Sequence, residues 1–256
     1  MVWAAGVLCA VFMSLSTTVA AQANIQFSGL ARQHAPDGRV REANLYVGDN
    51  QVRLEHQRGG STVVEIYDME HQRLLLLVPE QKIYMERELP ADQMPGPLAP
   101  TESTDPCSAL PGGQCKKLAS ETLYGRSVSR WEVRIIRDGK PLNSMHWIDD
   151  ERLMSLRDVW PDGSVSELTL AGKETLDGRP VEHWTRTHTA VDGKKKSTSL
   201  WYDPELRLAI REELPGGFFR EITDIEVANQ PKAIFRAPAD YRRVEGTVET
   251  LPQEDR

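Results

Sequence analysis

Two stretches of this 256-residue chain set carboxylates beside an indole: Trp147-Ile148-Asp149 with Glu151 two residues on, and Trp201-Tyr202-Asp203 with Glu205. Paired acids can act as general acid and base. Both stretches precede a turn, however, and Pro204 fixes the second. The better expectation is an Asp that accepts from nearby backbone N–H groups. A feature present twice also points to scaffold, since a duplicated framework rarely keeps two reactive centres. The six histidines are His34, His56, His71, His146, His183 and His188. His183 and His188 lie five apart on one expected strand and face opposite sides of it. No other pair has ligand spacing, so no metal site is expected. There is no Gly-x-Ser-x-Gly elbow, no phosphate-cradling glycine loop and no convincing Ser/His/Asp order. Lys194-Lys195-Lys196 reads as a solvated turn tip. No catalytic residue, no cofactor and no enzyme activity is expected.

The elements that carry these residues are written twice. Glu121-Thr122-Leu123-Tyr124-Gly125-Arg126-Ser127-Val128-Ser129-Arg130-Trp131 returns as Glu174-Thr175-Leu176-Asp177-Gly178-Arg179-Pro180-Val181-Glu182-His183-Trp184, seven identities in eleven at an offset of 53. One residue enters at the next turn, Asp138-Gly139-Lys140 against Asp192-Gly193-Lys194, and the offset becomes 54. A period of this size marks one supersecondary unit that cannot bury its apolar face alone. The repeat units are 121–172 and 174–226, each of about four antiparallel strands with an Asp-Gly hairpin signal.

Residues 1–23 read as a signal peptide: an apolar stretch from Val2 to Val19, then Ala21-Gln22-Ala23 as the cleavage pattern. Cleavage is expected after Ala23; an uncleaved anchor is the alternative. The leader carries no charge, so the mature chain keeps a net charge of −7. That balance argues against nucleic acid and against electrostatic docking on an anionic membrane. Two of the three cysteines remain, Cys107 and Cys115, close enough in an exported chain to read as a disulfide.

Residues 24–89 alternate as strands and form the first half of a sheet. Leu74-Leu75-Leu76-Leu77-Val78 is apolar at every position and must be covered on both sides. Residues 90–117 hold six of the sixteen prolines and read as a loop carrying the disulfide. Residues 118–243 complete the sheet through the two copies, and 244–256 is a polar tail. The expected fold is mainly β: a large antiparallel sheet with few or no helices. Trp131, Trp147, Trp184 and Trp201 fall in equivalent strands of the copies. Core packing is their default role; the alternative is a sheet too wide to fill itself, which keeps part of that face as a lipid or acyl-chain cavity.

The run Leu45 to Glu55, then Ile66-Tyr67-Asp68 and Leu77 to Met85, resembles DUF4412-type exported bacterial proteins. The Trp-x-Asp hairpins, followed by Arg157 or Arg211 and by Gly163 or Gly217, resemble the outer-membrane lipoprotein carriers LolA and LolB. The related N-terminal domain of the regulator RseB belongs with them. The resemblance spans about 25–243 and implies a large curved antiparallel sheet, an open half-barrel whose concave side holds acyl chains or a peptide. It implies a non-catalytic periplasmic binding protein that holds a lipid or a lipidated protein on its concave face, with transient contact to membrane or lipoproteins. Leu75, Leu77, Trp131, Trp147, Trp184 and Trp201 are the expected lining. The alternative it implies is an RseB-like regulatory module that binds an envelope protein partner.

Overall fold

The computed structural model describes residues 25–89, 105–110, 112–137 and 139–245; residues 1–23, expected to be a signal peptide, part of the Pro-rich segment and the last residues lie outside them. Period-two alternation governs nearly every described segment. The first half forms β1 (Phe27–His34), β2 (Val40–Val47), β3 (Gln51–Arg58), β4 (Ser61–Asp68), β5 (Arg73–Val78) and β6 (Ile83–Glu88). The second half forms β7 (Gln114–Leu123), β8 (Arg126–Arg137), β9 (Lys140–Asp149), β10 (Ser155–Val159) and β11 (Val165–Leu176). It continues with β12 (Arg179–Thr189), β13 (Lys195–Asp203), β14 (Leu208–Glu213), β15 (Phe219–Val227) and the short β16 (Arg242–Arg243). Helical structure among the described residues amounts to single 3-10 turns such as Lys232–Phe235.

The sixteen strands of the described residues belong to one sheet, in the order β16-β6-β5-β4-β3-β2-β1-β15-β14-β13-β12-β11-β10-β9-β8-β7, which does not close into a barrel. Two meanders, β1–β6 and β7–β15, lie side by side because β1 pairs antiparallel with β15. The pairing of β16 with β6 is parallel. The expected large, open, antiparallel sheet is the one observed. β7 begins at Gln114, inside the segment expected to be loop.

The copies are one unit built twice. Tyr124-Gly125 and Asp177-Gly178 are equivalent two-residue turns with φ of 51° and 76°, and 50° and 79°. Left-handed conformation at both central positions matches the twist of the flanking strands, and glycine adopts it without a Cβ penalty. Val128, Leu156 and Leu168 of the first copy pack with Trp184, Leu200 and Tyr202 of the second. Their equivalents Val181, Ile210 and Ile222 pack with Phe27, Leu45, Val47 and Val52 of β1–β3. Each copy leaves an apolar half-face that the next unit along the sheet covers.

β5 is apolar at five successive positions because both of its faces are covered. Leu74, Leu76 and Val78 pack with Met85 and Leu89. On the other side Leu77 packs with Val64, Ile66 and Phe235. Phe235 arrives on a strap that leaves β15, crosses the first meander and ends at β6. Gln26 Oε1 accepts from Gln230 N at 2.7 Å, Arg53 Nη1 donates to Ile234 O at 2.6 Å, and Lys82 pairs with Asp240 at 2.8 Å. The strap then joins the edge, Arg242 N donating to Lys82 O at 2.8 Å.

Candidate functional site

The repeated acids are turn anchors. Asp149 Oδ1 accepts from Glu151 N and Arg152 N, each at 2.9 Å, and its other oxygen takes Arg126 Nε. Asp203 repeats this with Glu205 N at 2.8 Å, Leu206 N at 3.0 Å and Arg179 Nε at 2.5 Å. Glu151 and Glu205 reach the second nitrogen of the same arginine, at 3.2 and 2.6 Å. Burial pushes the Asp149 carboxyl above the usual Asp value, against the two backbone N–H bonds that lower it. The two acids of each pair clamp an arginine and do not face a common cleft.

The expected lining residues divide. Trp184 is 1% exposed within the core, its indole N–H donating to Glu182 at 3.2 Å. Leu77 is equally covered, and Leu75 packs half-buried against the same cluster under the strap. Trp131 is half-buried opposite His146. Trp147 and Trp201 are half-buried, each bonding a carboxylate (Glu121 and Glu174) through the indole N–H. An arginine lies over each ring: Arg157 at 5.3 Å and Arg211 at 5.2 Å. The six do not converge on one space.

Two arrangements were missed by sequence reasoning. The first is a ladder of rings across five adjacent strands. His183 (β12) stacks on Trp201 (β13) at 4.6 Å; Arg211 (β14) lies 5.2 Å from both Trp201 and Phe219 (β15); Phe219 stacks on His34 (β1) at 3.9 Å. His34, Arg211 and Phe219 become neighbours only through strand pairing. Four interstrand spacings make the row about 19 Å long. Glu174 and Glu221 hold its two histidines at 2.8 and 3.1 Å. In the first copy the row stops at Arg157, where Val165 stands in place of Phe219.

The second is a polar chain on β9 and β10. Ser144 Oγ lies 2.7 Å from His146 Nε2, and His146 Nδ1 lies 2.7 Å from Asp158 Oδ1. Ser155 Oγ also donates to Asp158 Oδ1, at 2.5 Å. The edge of Trp160 meets the His146 ring at 5.7 Å. Trp160 in turn walls an open groove of about 620 Å3 with Leu142, Pro161, Asp162, Ser164 and His188. Trp160 Nε1 donates to Ser166 Oγ at 3.3 Å, and Ser166 Oγ bonds His188 Nδ1 at 3.1 Å. The signal available in the sequence was the two-residue spacing of Ser144 and His146, which puts both on one strand face.

Among the described residues, the acids, histidines and cysteines that come within ligand distance of one another as a trio are Asp105, Cys107 and Cys115. Their sulfurs are joined in a disulfide, as the sequence suggested, and a disulfide offers no thiolate to a metal. Asp105 instead accepts from Cys107 N at 2.9 Å.

No protein-family model matches the chain, and no curated protein matches it in sequence. Solved structures similar to it include a LolA superfamily protein from Nitrosomonas europaea, at 11% identity over 84% of this chain and 91% of that one, TM-score 0.36. A second is MucB in its complex with MucA from Pseudomonas aeruginosa, at 14% identity over 86% of this chain and 58% of the other, TM-score 0.32. A third is a putative outer membrane lipoprotein-sorting protein domain from Vibrio parahaemolyticus, at 12% identity over 82% and 88%, TM-score 0.30. None superposes closely enough to carry an inference about this chain.

Proposed function

We propose that this chain is an exported binding protein whose partner is a polypeptide of the cell envelope, docked on the ring ladder of β12 to β1. The observation that carries the reading is the ladder itself. Trp, Phe and Arg are the side chains that anchor protein interfaces, and here they stand in one half-exposed row, already ordered by stacking. Export to the periplasm belongs to the same reading, supported by the apolar leader and by a disulfide that needs an oxidising compartment. Binding, not turnover, is the primary role.

A second reading, a bound lipid or lipidated protein, is favoured by the groove whose walls include Leu142, Trp160 and Pro161. The experiment places a photocrosslinking amino acid at His183, the β12 end of the ladder, in the full chain in its native cell. The expected result is a protein adduct that disappears in the Arg211→Ala/Phe219→Ala variant, with the circular dichroism spectrum unchanged. Lipid found by mass spectrometry of the extracted protein, with no ladder-dependent adduct, would replace the first reading by the second.

A further inference from the structure

We propose that Ser144, His146 and Asp158 form a nucleophilic site that accepts acyl groups from esters lying in the adjoining groove. The proposal goes beyond the binding reading and does not rest on it. An ionised carboxylate only accepts hydrogen bonds, so the His146 nitrogen facing Asp158, Nδ1, carries the proton. In the neutral ring that leaves Nε2 with its lone pair directed at Ser144 Oγ, 2.7 Å away. Nucleophile, base and orienting carboxylate thus follow one another at hydrogen-bond distance and through the nitrogens that the chemistry requires.

The duplicated scaffold supplies the internal comparison. At the offset of 54, the second copy holds Thr198, Leu200 and Glu212 where the first holds Ser144, His146 and Asp158. Leu200 is 4% exposed and packs with Trp184 in the core; its counterpart His146 stands opposite Trp131. The same framework therefore folds with an apolar side chain at this point, and the polar trio is not a requirement of the sheet. The trio does not itself line the groove but borders it through two neighbours. Leu142 shares a strand face with Ser144, and Trp160, 40% exposed, touches the His146 ring; both wall the groove. The groove's walls Leu142, Trp160 and Pro161 suit an apolar acyl chain.

In the reaction, Ser144 Oγ bonds to the ester carbonyl carbon as its proton passes to His146 Nε2. The tetrahedral adduct collapses by breaking the bond to the alcohol oxygen, which takes that proton, and an acyl ester of Ser144 remains. Water then hydrolyses it to the carboxylic acid and restores the hydroxyl. General-base assistance contributes about 10²–10⁴-fold. Donors for the oxyanion, worth about a further 10²–10³-fold, are not among the contacts of the three side chains. The expected behaviour is slow acylation of Ser144, with hydrolysis slower than in a dedicated hydrolase.

The test treats the full chain with a fluorophosphonate, whose phosphorus takes the serine oxygen as fluoride leaves, and separately with p-nitrophenyl butyrate. Peptide mapping should place both modifications on Ser144. They should be absent from Ser144→Ala, and slowed about 10²-fold or more in His146→Leu. The leucine variant imports the second copy's own residue, so its fold is checked against Leu200's environment by circular dichroism and thermal midpoint. Absence of label on Ser144, or equal labelling rates in the parent and a folded His146→Leu variant, overturns the proposal.

Discussion

A Cβ placed on Gly48 would sit 2.7 Å from two ring atoms of Phe235, so the strap is seated in a notch that only glycine provides. Gly48→Val should cost about 1–3 kcal/mol through overpacking, and Phe235→Ala about 3–5 kcal/mol through the cavity it leaves over Leu77. The two changes meet at one point. The double variant should therefore lose less than the sum, measured by urea unfolding; strict additivity would show that the notch does not hold the ring.

The pair His56 and Glu65, at 3.3 Å, should give stability a defined dependence on pH. The hydrogen bond to Glu65 raises His56 above its ordinary value of 6.5, against burial. Burial pushes Glu65 upward, but hydrogen bonds from His56 and Tyr67 outweigh it and leave the carboxyl below 4.5. A raised histidine contributes below its unfolded value and loses that contribution as pH rises through the folded one. A lowered carboxylate contributes above its unfolded value and loses it as pH falls through the folded one. Both contributions are present between pH 4.5 and 6.5. The gap in thermal midpoint between parent and Glu65→Gln should be widest there and narrow toward pH 8; a gap that stays constant from pH 4 to 8 would refute the assignment.

Asp203 is 1% exposed and holds both a turn and Arg179. Asp203→Ala leaves the guanidinium without its buried partner and should cost about 3–5 kcal/mol. Asp203→Asn keeps an oxygen for the two backbone N–H groups and should cost clearly less. Chemical denaturation of the two variants checks the order; equal losses would mean that the ion pair, not the turn, carries the whole effect.

The Cys107–Cys115 disulfide closes a loop of eight residues' separation. Chain-entropy arithmetic for a loop of this size gives about 2–3 kcal/mol. Cys107→Ser/Cys115→Ser should lower stability by that amount, and a reducing agent should shift the parent's thermal midpoint but not the variant's.

Much of the architecture was legible because it depends on local chemistry. The alternation in Leu45-Tyr46-Val47 marks a half-buried strand, Asp192-Gly193 a tight turn, and Leu74 to Val78 a strand covered twice. Asp149 and Asp203 read as turn anchors for the same reason, since their partners lie two or three residues away. What the sequence left hidden was created by pairing across strands. His34 and Phe219 stack although 185 positions separate them in the chain. Asp158 reaches His146 only because β10 folds back on β9. The strap was hidden too, since nothing local in Ile234-Phe235 says which strand it will cover.

The seam between β1 and β15 sets the order of assembly. Arg32 and Thr223, bonded across it at 3.1 Å, are 191 positions apart. The first meander is therefore synthesised with the edge of β1 unpaired, and it stays so until the last repeat strand has emerged. Pairings this distant close slowly, and an open strand edge invites a neighbouring chain. As the chain emerges from its N-terminus, the dangerous interval falls late, after the apolar face of β1–β3 has appeared and before β15 can cover it.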